Sequence, residues 1–180
     1  MASTVSRKVL MVIAPSDFRD EELAEPKAVL EKSGVKVDVA SPQSGEARGM
    51  LGARVKPDKQ LQACQPEDYD AVVVVGGMGS PAFLWDNPSL HTLLQRAKQS
   101  GKVVAGICLS GAALARAGVL QGVTATVYET KDSIAALAKG GAKRVQQDVV
   151  VDGRVITASG PSAARAFGEA IARALTQPAR

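Results

Sequence analysis

Residues 102–117 read KVVAGICLSGAALARA, and two kinds of local structure meet inside that stretch. Lys102–Ile107 is apolar and β-branched with no polar alternation, which predicts a strand buried on both faces. Ser110–Ala117 is rich in Ala and Leu, which predicts a helix. A strand that passes straight into a helix through small residues makes a sharp elbow. It lifts the side chain at the bend above the carboxyl edge of the sheet, and here that side chain is Cys108. Gly106 and Gly111 flank the bend and permit tight packing.

Working outward, the same alternation recurs. Lys8–Ala14 (KVLMVIA) and Asp70–Val75 (DAVVVV) predict buried strands, and Val35–Ala40 (VKVDVA) predicts an alternating one. Arg19–Ser33, closed by Gly34, and Pro88–Ser100, with Leu90, Leu93, Leu94 and Ala97 on one face, predict helices. Ser44–Gln60 is polar and contains Gly, as expected for a hairpin or loop excursion. Val123–Val127 predicts a short strand and Ser133–Lys139 a short helix. Val145–Val151 and Arg154–Ala158 flank Asp152-Gly153, a hairpin signal. A last helix is expected from Pro161 to about Leu175. Strands alternating with helices predict an α/β domain: a flavodoxin-like three-layer sandwich with a mainly parallel central sheet. One domain is expected over 7–176, with flexible tails at 1–6 and 177–180.

Composition narrows the class. A chain of 180 residues, 46% hydrophobic, buries ~70% of its unfolded surface and needs no disulfide or metal staple. Its two cysteines, Cys64 and Cys108, form no CxxC, and there is one histidine. No metal, cofactor or secreted disulfide framework is expected, and reduced thiols suit the cytoplasm. The net charge of +4 is scattered and aromatics are 3%. That pattern lacks the basic stripe and stacking rings of a nucleic-acid binder. The N-terminus has no signal-peptide core, and the apolar runs are too short to span a membrane.

In a parallel sheet, ligands bind beyond the carboxyl ends of the strands. Three segments converge there: 17–22, 76–80 and 108–111. A thiol at a helix N-terminus is expected to ionise readily; the alternative is that Cys108 is a buried structural cysteine. Gly76-Gly77 can aim backbone amides at an anion, or can simply turn the chain out of the strand. Within DFRDEE, Glu22 lies on the helical row of Pro26, Val29 and Leu30, and Glu21 on that of Glu25, Ala28 and Lys32. Glu22 is therefore expected to face inward and Glu21 to face water. Pro26 removes the amide that would bond the Glu22 carbonyl, so the helix is expected to be irregular there. A desolvated carboxyl beside a thiol keeps its proton near neutral pH and can serve as a proton donor. His91 is expected to face solvent away from the strand ends, and Cys64 to be structural or incidental in a polar loop.

In this order, KVLMVIAPSDFRDEELAEP (8–26), YDAVVVVGGMGSP (69–81), GKVVAGICLSGAALARAGVLQG (101–122) and DVVVDGRVITASGPSAA (148–164) resemble the DJ-1/PfpI (ThiJ/PfpI) superfamily. This is a class I glutamine amidotransferase-like group of intracellular cysteine peptidases, amidases, deglycases and glyoxalases. The resemblance covers nearly the whole chain. It implies that Cys108 is the nucleophile and Glu22 its carboxyl partner. Gly76, Gly77 and the Leu109 amide become the oxyanion or substrate turn, and Tyr128 lines the pocket. It also implies a homodimer or higher homo-oligomer and a small-molecule substrate, without nucleic acid or membrane. Peptidase-like members carry His where this chain has Leu109. The deglycase-like branch often has a His near position 128, and some members have an acidic residue at the position of Arg19. The implied function is thus a stress-related enzyme acting on small reactive carbonyls, glyoxalase- or deglycase-type. The alternatives are a redox sensor or chaperone-like protein without turnover and, third, a peptidase or amidase.

Overall fold

The computed structural model describes residues 5–177; of the expected tails, residues 1–4 and 178–180 lie outside the described residues. The strands are β1 (Lys8–Val12), β2 (Ser16–Phe18), β3 (Lys36–Ser41), β4 (Ala47–Gly49), β5 (Arg54–Val55), β6 (Lys59–Gln60), β7 (Ala71–Val74), β8 (Val103–Ile107), β9 (Thr124–Ala125), β10 (Lys143–Arg144), β11 (Val149–Asp152) and β12 (Val155–Ala158). The helices are α1 (Asp20–Lys32), α2 (Ser80–Phe83), α3 (Pro88–Gln99), α4 (Gly111–Arg116), α5 (Lys131–Lys139) and α6 (Ala164–Thr176). Seven strands form the central sheet in the order β11-β12-β8-β7-β1-β3-β6. All its pairings are parallel except β11 with β12.

Continuous apolar runs explain the centre of the sheet. Every residue of β7 and β8 is buried, and Val9–Val12 of β1 are fully covered. Helices α1 and α6 pack together against one face, and α3 and α4 lie against β8 on the other. This is the three-layer α/β sandwich that the strand–helix alternation predicts. The register levels the strand ends: Val12 pairs with Val74, Val74 with Gly106, and Gly106 with Thr157. The loops leaving β1, β7, β8 and β12 therefore emerge side by side.

Helix α1 runs unbroken through Pro26, where an irregularity is expected from the sequence. Gly168 of α6 explains its support: a Cβ there would lie 2.7 Å from Pro26 Cα, so only glycine lets the two helices approach this closely. That contact sits one turn after Glu22 on the same helix.

Several boundaries differ from the sequence reading. Of 123–127 only Thr124–Ala125 pairs, with Lys143–Arg144 in a separate two-stranded sheet. Residues 145–148 are not strand, and β11 begins at Val149. The hairpin turns on Gly153-Arg154 rather than Asp152-Gly153, because Asp152 still pairs with Val155 and its carboxylate accepts from the Thr124 amide. Gly153 takes the positive φ at that turn. Helix α5 starts two residues early because Thr130 and Ser133 form a reciprocal capping box. The excursion at 44–60 resolves into β4 and β5, joined by β2, plus β6 on the edge of the main sheet.

Candidate active site

Cys108 sits where β8 ends, with φ of 60°, a left-handed conformation that few side-chain-bearing residues adopt. Holding it costs about 1–3 kcal/mol, which the surroundings must offset. They do so by close packing. A Cβ on Gly106 would meet Leu114 Cδ1 at 2.8 Å, and one on Gly111 would meet Val127 Cγ2 at 3.0 Å. Cys108–Ser110 then form a single 3₁₀ turn ahead of α4. The Cys108 carbonyl accepts from the Tyr128 amide at 3.2 Å. The Leu109 carbonyl accepts from the Trp85 indole at 2.8 Å.

The Gly76-Gly77 turn presses against this elbow. A Cβ on Gly76 would lie 2.6 Å from Cys108 Cβ, 2.6 Å from the Ile107 carbonyl oxygen and 3.0 Å from Glu22 Oε1. Gly76 is thus the gap across which Cys108 and Glu22 meet. Gly77 has φ of 113°, and a Cβ there would collide with the Arg19 amide nitrogen at 2.4 Å. The same crowding shows why α1 starts here: the Arg19 amide donates to the Gly76 carbonyl at 2.9 Å.

Glu22 is fully buried, and neither carboxyl oxygen has a hydrogen-bond partner of ordinary geometry among the described residues. Burial raises its pKa to about 8, against weaker lowering by the Cys108 thiol and the Arg19 cation. Glu21 is only partly buried and holds Arg19 at 2.8 and 3.1 Å. That bond keeps the Glu21 carboxyl below the usual range.

The thiol differs from its expectation. Burial, and then the Glu22 charge, push the Cys108 pKa up to about 12, while the Leu109 and Gly77 amides pull it down. The helix-terminus argument overestimates the amides, because a 3₁₀ turn and a six-residue helix carry little dipole and Cys108 is buried, 6% exposed. Part of the upward push exists only while Glu22 is ionised. The two groups are therefore coupled through one proton.

The structure brings Cys108, Glu22, Gly76, Gly77 and Leu109 together. Tyr128 is joined to the elbow only by its backbone. Its half-exposed ring lines a cavity of about 400 Å³ with Asp148, Ser159 and Pro161, and Cys108 and Glu22 are not among the walls. His91 does not face solvent freely: its Nε2–H donates to the Trp85 carbonyl at 2.6 Å. Asn87, capping α3, turns the chain so that this carbonyl overhangs the first helical turn. Cys64 is buried in the core despite its polar loop, and burial raises its pKa. Ser80 and Ser110 lie inside the segments 76–80 and 108–111, but the sequence reading gives their hydroxyls no role, and Trp85 lies outside those segments.

Comparison with known proteins agrees with this fold. A sequence model of the DJ-1/PfpI family matches residues 7–174. An uncharacterised protein of Methanocaldococcus jannaschii is 51% identical over 168 residues, 93% of this chain and 82% of that protein. A glutathione-independent glyoxalase of Caenorhabditis elegans is 28% identical over 172 residues, 96% of this chain and 90% of its own length. A crystal structure of a ThiJ/PfpI domain protein from Brachyspira murdochii superposes with a TM-score of 0.88 at 32% identity, covering 94% of this chain and 96% of that one. The chain is a member of the DJ-1/PfpI family.

Proposed function

We propose that this protein is a glyoxalase-type enzyme that hydrates small 2-oxoaldehydes to 2-hydroxy acids through Cys108 and Glu22. The observation that carries the reading is the buried Glu22 carboxyl, unpartnered and separated from the thiol only by the width of Gly76. A buried carboxyl with no hydrogen-bond partner of ordinary geometry among the described residues is costly and becomes intelligible as a base poised near 8. The C. elegans relative, named as a glyoxalase, supports the substrate class.

Ionised Glu22 takes the thiol proton as the sulfur attacks the aldehyde carbon. The new C–S bond leaves an oxyanion, held by the Gly77 and Leu109 amides, and Glu22 returns the proton to give a hemithioacetal. Glu22 then moves a proton from the former aldehyde carbon to the neighbouring carbonyl carbon by way of an enediol, which yields a thioester. Water cleaves the thioester to the 2-hydroxy acid and regenerates the thiol, so the sum is oxoaldehyde plus water. No amine leaves, so no imidazole is required.

Methylglyoxal turnover by the wild type, Cys108→Ser, Glu22→Gln and His91→Gln tests this. Activity is expected to vanish in the first two variants and persist in His91→Gln. In the wild type kcat/KM should rise with pH towards about 8, following Glu22. Absence of turnover with any 2-oxoaldehyde, or peptide hydrolysis that disappears in His91→Gln, would overturn the reading. Light scattering tests the homodimer that we propose alongside it.

A further inference from the structure

Ser80 and Ser110 are fully buried hydroxyls. Their oxygens lie 2.8 Å apart, and Ser110 Oγ lies 2.6 Å from the Val75 carbonyl oxygen. A carbonyl only accepts, so Ser110 donates its proton to Val75 and Ser80 donates its own to Ser110. The chain of bonds therefore has one direction, Ser80 to Ser110 to Val75. Buried hydroxyls cost free energy unless paired, and these two are paired with each other and with one backbone group.

Their placement gives the pair its meaning. The β7–β8 ladder ends at Val74 and Gly106. Beyond it, the segment carrying Gly76-Gly77 and the segment carrying Cys108-Leu109 leave the sheet. The hydroxyl chain straps these two segments together past that point. It grips the first immediately before Gly76, at Val75, and again at Ser80, whose amide donates to the Gly77 carbonyl at 3.1 Å. It grips the second two residues after Cys108. The Gly77 and Leu109 amides, which both pull the thiol pKa down, come from opposite sides of this strap.

We propose that Ser80 and Ser110 are positioning residues that fix the spacing of the Gly77 and Leu109 amides around the Cys108 sulfur. Pre-set donors stabilise an anion without reorganising when it forms, and their value falls steeply with small displacements. The inference rests on the proposed role of Cys108, but its main readout does not depend on turnover.

The test uses Ser80→Ala and Ser110→Ala, each with Cys64→Ser so that Cys108 is the only thiol. Iodoacetamide alkylation rates are measured at one mildly alkaline pH, alongside kcat and KM for methylglyoxal and thermal melting. Because the thiol is mostly protonated there, the rate reports its thiolate fraction, and it is expected to fall several-fold in both variants, more in Ser110→Ala, which loses both bonds. The kcat should fall by about tenfold with KM little changed, because loosened oxyanion donors act in the transition state. Unchanged or faster alkylation in folded variants would overturn the strap, as would a loss of kcat that only tracks the unfolded fraction. If the wild type turns over no oxoaldehyde, the proposed function fails while the alkylation rates still decide the strap. If Ser110→Ala does not fold, Ser80→Ala decides alone, since it keeps the Ser110–Val75 bond.

Discussion

Gly76→Ala is the sharpest single perturbation of this site. The new methyl would sit 2.6 Å from Cys108 Cβ and 2.6 Å from the Ile107 carbonyl oxygen. Ordinary carbon contacts lie at ~3.5–4.0 Å, so the overlap is about 1 Å on two sides. Neither neighbour can rotate away. One is the β8 main chain, and the other hangs on a backbone already held at φ of 60°. Relief requires moving the Gly76 turn off the elbow, which costs about 1–3 kcal/mol in a close-packed interior. For a chain of this size each kcal/mol lowers the melting temperature by roughly 2–4 °C. The displacement opens the space between Cys108 and Glu22 by up to about 1 Å, enough for a loss of about 100-fold in rate. Thermal melting, alkylation of Cys108 and methylglyoxal turnover measure the three consequences. A Gly76→Ala protein that melts, alkylates and turns over like the wild type would refute the reasoning that Gly76 is the spacer of the pair.

Glu22→Gln should flatten a pH dependence of stability. The folded state holds the Glu22 proton up to about pH 8 against 4.5 for a free carboxyl, so its favourable contribution is complete below about pH 4.5 and is lost as pH rises through about 8. Urea midpoints should decline over that window in the wild type and stay flatter in Glu22→Gln, and equal slopes would contradict the burial argument. Trp85→Phe leaves the buried Leu109 carbonyl without its 2.8 Å donor and should cost about 1–3 kcal/mol. It should also slow Cys108 alkylation, and a variant that alkylates at the wild-type rate would separate Trp85 from the elbow.

The central sheet was legible because buried parallel strands write themselves as continuous apolar runs, as in Ala71–Val74 and Val103–Ile107. The peripheral strands were not, because two-residue pairings such as Thr124–Ala125 with Lys143–Arg144 have no period to detect. Boundaries shifted where a side chain overruled propensity: Asp152 holding the Thr124 amide, or Thr130 and Ser133 capping α5. At the site, helical rows separated Glu22 from Glu21 because that question is purely one of phase. His91 failed on the same logic, because a row predicts direction but not the Trp85 carbonyl waiting above it.

The thiol shows what sequence position cannot weigh. A cysteine at a strand end before a helix has amides nearby, and that much is readable. Whether those amides outweigh burial depends on the carboxyl across the gap, which belongs to α1, 86 residues earlier in the chain. Here burial and the Glu22 charge win, and the resting thiol stays protonated. That outcome suits the proposed chemistry. A protonated thiol on a buried residue is slow to react with diffusing oxidants. In that proposed chemistry it becomes a nucleophile only when an ionised Glu22 takes its proton, as an aldehyde reaches the gap that Gly76 leaves open. The strain at Cys108, the missing Cβ at Gly76 and the buried carboxyl of Glu22 are each unfavourable alone. The proposed function gives all three a role in one site.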